Sequence, residues 1–387
     1  MFPIINKIIS WLVSLSLLCA GWFCIGEPVN AEEYKVYDNV ILFIGDGMGE
    51  KHLKAAKKEL GISLQMETMA VRGQSMTDNW IGETTDSAAG GTALATGIRT
   101  GNGNIAVTPF DTTHSLVSPK TLAELAKELG KAAGVVTTDQ TTGATPASFT
   151  AHTASRSDAE KIFKQQMESD FELIWGASCG ASDKTLASFD RTIVKTVDEM
   201  EALKAGEKSY GQFSWDDFRD IKNTDVTPTI EKMTEEAIDI LDDDADGFFL
   251  MVEGAQIDKF SHSKDIDNAV LQLAEFDKAI GYALDYAEKD GNTLVVVTAD
   301  HETGKVTYDA ELDKYVCLSG SHTDRNVPLL VSDEAAGFED GKAIENRSVG
   351  AQLGLCLGAK AGTYPVCTPV IDTFEGFLKE WISSWSK

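Results

Sequence analysis

The chain has 387 residues, 43% of them apolar, which is enough for one large α/β domain with a sizeable core. Acids outnumber bases by 61 to 34, for a formal net charge of -27. A surface of that sign repels nucleic acid and anionic membranes, which excludes both as partners.

In chain order, Lys7 precedes the apolar run IISWLVSLSLLCAGWFCIG, then EPVNA and the acidic EEYK. A positive start, an apolar middle and a small-residue end read residues 1–31 as a secretory signal cut after Ala31. The rival is an uncleaved anchor, because the run is about long enough to span a bilayer. The leader holds Lys7 and Glu27, so the mature part, 32–387, keeps the whole charge. The protein is therefore expected outside the cytoplasm, in a periplasm, at the cell surface or secreted, without stable membrane association after cleavage. Export permits disulfides. Of Cys179, Cys317, Cys356 and Cys367, the last two are closest in sequence and form the favoured pair. None lies in a CxxC, so they are not read as metal ligands. Asn346-Arg347-Ser348 is a glycosylation sequon.

VILFIGDGMG (40–49) is a buried-strand run ending at Gly-Asp-Gly. Residues 119–129 have helical spacing with Pro119 first and Gly130 after, and GVVTTD follows as a strand. The stretch 157–227 is more polar and less periodic, an insertion or peripheral subregion. Residues 228–241 form an amphipathic helix, and GFFLMVEG (247–254) and NTLVVVTADHE (292–302) are further apolar strands. Strands alternating with helices, with near-continuous apolar runs, predict one domain. Its fold is a three-layer α/β sandwich whose central, mostly parallel sheet is covered by helices on both faces. In such sheets ligands bind outside the carboxyl ends of the strands, where Asp46, Asp139, Glu253 and Asp300 fall.

TTDSAAGGTALATG (84–97) is built from small residues around Asp86 and Ser87. Two readings stand. One is a tightly packed helix with Asp86 as N-cap; the other is a helix started close to the sheet so that its amides face an anion. A serine needs a base or a metal to become a nucleophile, and no Gly-x-Ser-x-Gly elbow is present, so a metal is favoured. The six histidines are His52, His114, His152, His262, His301 and His322. His262 follows Asp258 by four residues, one face of a helix. His301 follows Asp300, and His322 lies in GSHTD. Carboxylates and imidazoles suit open zinc sites. Asp242, Asp244, Asp246, Gly247 and Glu253 match a calcium-loop pattern, but the apolar FFLMVE after them reads as a strand rather than the required helix.

FIGDGMG, TDSAAGGTALATG, GATPASFTAHTASR, FFLMVEGAQIDKFSH, VVVTADHE and GSHTD, in this order, resemble alkaline phosphatases. The resemblance implies hydrolysis of phosphate monoesters of broad range, suited to phosphate scavenging, with two zinc ions and one magnesium. It implies Ser87 as the nucleophile that becomes phosphoserine. Asp46, Asp300 and His301 would bind the zinc that holds Ser87. Asp258, His262 and His322 would bind the second zinc. Asp46, Thr145 and Glu253 would bind magnesium. Arg156 would grip two phosphate oxygens, and Lys259 would reach phosphate or the magnesium shell through water. Where relatives carry Asp or His two residues before the magnesium threonine, this chain has Gly143. That leaves magnesium to water or to a neighbour such as Asp139. A homodimer is expected by analogy only. Alternatives of other classes are a diester, phosphonate or sulfate-ester hydrolase of the same superfamily, and an inactive phosphate- or metal-binding protein.

Overall fold

The computed structural model describes residues 28–30, 33–107, 117–204, 206–221, 226–365 and 367–369. Residues 1–27, the expected cleavage point at Ala31, and His114 lie outside the described residues.

One ten-stranded sheet organises the chain. Its strands are β1 (Asn39–Ile44), β2 (Val71–Met76), β3 (Ala132–Gln140), β4 (Leu173–Ala177) and β5 (Thr192–Val194). They continue with β6 (Ser209–Gly211), β7 (Phe248–Glu253), β8 (Thr293–Thr298), β9 (Val327–Val331) and β10 (Ala343–Glu345). The spatial order is β10-β2-β9-β8-β1-β7-β3-β4-β6-β5. All neighbours run parallel except β9, which is antiparallel to both β2 and β8.

Every residue of β1, β7 and β8 is buried, as the unbroken apolar runs require of strands covered on both faces. Alternation sends Ile41 and Phe43 to one apolar layer and Val40, Leu42 and Ile44 to the other. The first layer is closed by α1 (Glu50–Leu60), α6 (Ile230–Leu241), α7 (Gln256–His262) and α8 (Ile266–Asp290). The second is closed by α2 (Ser87–Thr96), α3 (Leu122–Glu128), α4 (Ala144–Thr150), α5 (Ala159–Glu168) and α9 (Asn346–Cys356). This is the expected three-layer sandwich. No helix among the described residues is long and apolar enough to cross a membrane.

Local chemistry moves several details. Pro119 ends a short strand rather than opening a helix; α3 begins after Thr121, whose hydroxyl and the Glu124 carboxylate form a capping box. The polar stretch 157–227 supplies β4, β6 and β5, which continue the sheet to its edge. The calcium-loop match fails as anticipated: β7 follows Gly247, and Glu253 ends that strand fully buried. Cys356 is a free buried thiol, so the expected pairing with Cys367 is not formed; its Sγ faces the Ala336 carbonyl instead. Asn346 is buried at the start of α9, which leaves the sequon no accessible acceptor.

Candidate active site

Four adjacent parallel strands deliver the acids. Asp46 and Asp300 each lie two residues past β1 and β8, Glu253 is the last residue of β7, and Asp139 is next to last in β3. Register aligns these ends: Ile44 pairs with both Glu253 and Thr298, and Thr137 pairs with Glu253. The chain then turns from β7 into α7, which carries Asp258 and His262. All these acids are buried.

The small-residue helix α2 meets them. Asp86 caps it, accepting from the Ala89 amide, and Ser87 is its first residue. All ten residues are buried, and a Cβ on Gly90 would stand 2.7 Å from the Asp300 carbonyl oxygen. Glycine there lets the helix lie against the backbone of Asp300. The helix is thus tightly packed and capped by Asp86, as the first reading expects, and the packing brings Ser87 to the acids. Ser87 Oγ lies 3.2 Å from His301 Nε2.

The histidine tautomers are fixed by their outer partners. His262 Nδ1 faces the Gly320 carbonyl at 2.8 Å, and His322 Nδ1 faces the Thr85 carbonyl at 2.9 Å. A carbonyl only accepts, so each Nδ1 carries a proton and each Nε2 is the atom left to meet a cation, that of His262 donating to Asp258 in the absence of one. These two Nε2 atoms stand 3.1 Å apart, with the Asp258 carboxylate 3.3 Å from one and 3.8 Å from the other. Two imidazole nitrogens and a carboxylate converging on one point are the donor set of a cation. His301 Nε2 points elsewhere, 3.3 Å from Asp300 and 3.5 Å from Asp46. Two triads result within 4.8 Å: Asp46–Asp300–His301 and Asp258–His301–His322, the second flanked by His262.

Electrostatics agree. Burial, then the charges of Asp300 and Asp258, raise the Asp46 carboxyl well above its ordinary range. Burial and Asp258 push Asp300 up to about 7; burial and Asp139 push Glu253 up to about 8. Burial and His322 hold His301 well below its ordinary value. For Asp258, burial is outweighed by the hydrogen bond from His262 and the neighbouring imidazoles, which depress it. Asp46 Oδ1, Asp300 Oδ2, Glu253 Oε1 and Thr145 Oγ1 are buried without a hydrogen-bond partner. Orphaned oxygens of this kind are costly unless a cation meets them, so the donors fit metal ions. The mixed imidazole and carboxylate groups suit zinc, and oxygen donors such as those of Thr145 and Glu253 suit magnesium.

Thr145 and Glu253 stand outside both triads. Near Glu253, Lys259 Nζ pairs with Asp139 at 3.2 Å. The Asp139, Asp46 and Asp258 carboxylates outweigh burial and raise Lys259. A Cβ on Gly143 would meet the Asp139 carboxylate at 2.8 Å, so Asp139 fills the space that Gly143 leaves. Arg156 is half-buried, and its Nη1 donates to Asp86 Oδ2 at 3.1 Å. That pair ties the guanidinium to the residue before Ser87.

Two contributors escaped sequence reasoning. Asp86 does more than cap α2, since it also accepts from the Gly103 amide and from Arg156. Thr303, fully buried, donates to Asp258 Oδ1 at 2.5 Å and lies 3.2 Å from His301 Nδ1. A signal for Asp86 existed in its adjacency to Ser87; none existed for Thr303.

A capped serine set between imidazole–carboxylate clusters at the strand ends of a three-layer sandwich defines a class of cation-holding α/β proteins. Within it, the sequence profile described as alkaline phosphatase matches residues 37–173 and 197–337. Alkaline phosphatase 3 of Bacillus subtilis (strain 168) is 37% identical over 306 residues, covering 73% of this chain and 64% of that protein. The chain thus spans a little under two thirds of that relative's length. Alkaline phosphatase from the Antarctic bacterium TAB5 superposes with a TM-score of 0.70 at 28% identity, covering 84% of this chain and 99% of that one. A variant of the TAB5 enzyme with Mg bound in its M3 site gives 0.68 at the same identity and coverage. The chain belongs to the alkaline phosphatase family.

Proposed function

We propose that this protein hydrolyses phosphate monoesters to an alcohol and inorganic phosphate, with Ser87 as the nucleophile. The observation that carries this reading is the placement of Ser87 Oγ, at a helix start, 3.2 Å from His301 Nε2, among buried carboxylates with orphaned oxygens. Asp46, Asp300 and His301 would hold one zinc ion, and Asp258, His262 and His322 a second. Thr145, Glu253 and Asp46 would hold magnesium, a reading supported by the Mg described for the TAB5 variant. When bound, these cations neutralise charge on the phosphoryl group and lower the pKa of the serine hydroxyl.

The chain's own residues supply the rest. Ser87 gives up its proton and its Oγ bonds to phosphorus as the bond to the ester oxygen breaks; the alcohol leaves with a proton. Water then attacks the phosphoserine and gives up a proton, the bond from phosphorus to Ser87 breaks, Ser87 Oγ takes a proton back, and phosphate departs. The Ser87 and Ala88 amides at the start of α2 would face the anion, the Ala89 amide being held by Asp86. Arg156 offers a two-pronged donor matched to two phosphate oxygens, held in aim by Asp86. Lys259, anchored on Asp139, adds positive charge on the side of Glu253. The recognised group is the phosphate, so broad specificity and phosphate scavenging follow. The leader-like pattern of residues 1–31 supports action outside the cytoplasm.

The test pairs metal analysis with turnover of p-nitrophenyl phosphate and its bis-ester. The expected result is zinc in the purified protein and preferential cleavage of the monoester. Preference for the bis-ester would replace this reading with a diesterase. No zinc and no turnover would leave a binding protein.

A further inference from the structure

We infer that Thr303 is a positioning residue that locks the two cation clusters into one unit. This inference rests on the metal-holding reading given under Proposed function. Thr303 sits in a short antiparallel ribbon, and its register partner is His322. Its backbone amide donates to the Gly47 carbonyl at 3.0 Å, the residue after Asp46. Its hydroxyl has one proton, and that proton is given to Asp258 Oδ1 at 2.5 Å, an acceptor-only carboxylate. The contact with His301 Nδ1 at 3.2 Å must then run the other way, with Nδ1 donating to Oγ1. This leaves the His301 Nε2 lone pair facing Asp46, Asp300 and Ser87.

One hydroxyl therefore fixes the tautomer of a ligand in the first cluster and the orientation of a carboxylate in the second. It is fully buried, so no water stands ready to replace it. Removing it leaves Asp258 Oδ1 short of a donor and lets His301 carry its proton on either nitrogen. Outer partners of metal ligands typically contribute about 10- to 100-fold in metal affinity.

The experiment is zinc titration of EDTA-treated full-length protein in chelator-buffered solution, with bound metal counted by mass spectrometry and cobalt(II) absorption as a second readout. The wild type is expected to take up two zinc ions. Thr303→Val keeps the side-chain shape and should weaken uptake at both clusters by about 10- to 100-fold, with an altered cobalt spectrum. Thr303→Ser and Thr303→Ala both lose the methyl group, and only the first keeps the hydroxyl; Ser should bind like wild type and Ala like Val. This pair decides the matter even where Thr303→Val fails to fold. Equal binding by Ser and Ala, or a loss confined to one cluster, overturns the coupling and leaves the metal-holding reading intact. A wild type that takes up no zinc overturns both.

Discussion

Two glycine-to-alanine changes in buried-face helices should have opposite signs. In α2, a Cβ on Gly90 would stand 2.7 Å from the Asp300 carbonyl oxygen and 3.0 Å from Asp300 Cβ. The helix cannot retreat. On other sides a Cβ on Gly91 would meet Ser148 Oγ at 3.0 Å, and α9 approaches so closely that a Cβ on Gly350 would reach the Leu94 carbonyl at 2.5 Å. In α8, the nearest atom to a Cβ on Gly281 is Cγ of the exposed Gln65 side chain, at 3.0 Å, which can swing away. Alanine is favoured over glycine inside a helix by about 1 kcal/mol. Overpacking a rigid contact costs about 1–3 kcal/mol. Gly281→Ala should therefore gain up to about 1 kcal/mol, whereas Gly90→Ala should break even at best and lose up to about 2 kcal/mol. The strain in Gly90→Ala falls on Asp300, and a displacement of about 1 Å at a catalytic group can cost roughly 100-fold in rate. Urea unfolding midpoints and p-nitrophenyl phosphate turnover measure both effects. A Gly90→Ala protein as stable as Gly281→Ala, with full turnover, would refute the claim that glycine sets the distance between α2 and Asp300.

Ser87→Ala should lower turnover by roughly 10^4- to 10^6-fold, the scale seen when a nucleophile is deleted, with an unchanged unfolding midpoint; near-normal turnover would end the assignment. Arg156→Ala removes charged hydrogen bonds to phosphate, each of about 1.5–3 kcal/mol, so inhibition by inorganic phosphate should weaken about 10- to 100-fold, and an unchanged inhibition constant would count against its role. The EDTA-treated protein should lose stability as pH rises. Asp300 near 7 and Glu253 near 8 bind protons in the folded state that their unfolded forms, near 4, have released. The resulting stability is full below about pH 4 and is lost as pH climbs through 7 and 8. Above the ordinary histidine value, where the depressed His301 and His52 no longer oppose the trend, unfolding midpoints at pH 7, 7.5 and 8 should fall in that order and recover when zinc is added; a flat series would show that these acids are not the coupled group.

Much of the fold was legible because its signals are local. Short unbroken apolar runs rich in β-branched and aromatic residues suit strands buried on both faces, and β1, β7 and β8 lie where those runs predict. The strands β4 to β6 lie in a stretch whose sequence suggests a peripheral region, because they are only three to five residues long and are separated by polar segments, although β4 and β6 are fully buried. Pro119 suggests a helix start, whereas the helix is set by Thr121 with Glu124 three residues on, a capping box that is also present in the sequence.

The acids and histidines were also legible as types and spacings. The sequence by itself determined that Asp46, Glu253 and Asp300 follow apolar strands, that Asp258 and His262 share a helix face, and that Ser87 opens a small-residue helix. Parallel strands bring their carboxyl ends to one edge, so those residues had to meet. Tertiary structure alone decided how they meet. It ran β9 against its neighbours, because strand direction depends on how the chain returns and not on composition. It put the Asp139 carboxylate in the space beside Gly143, a filling that no spacing rule describes. It gave the Thr303 hydroxyl to Asp258, 45 residues away. A hydroxyl's partners are set by where its one proton and two lone pairs point in the folded chain, and a sequence carries the hydroxyl without that direction.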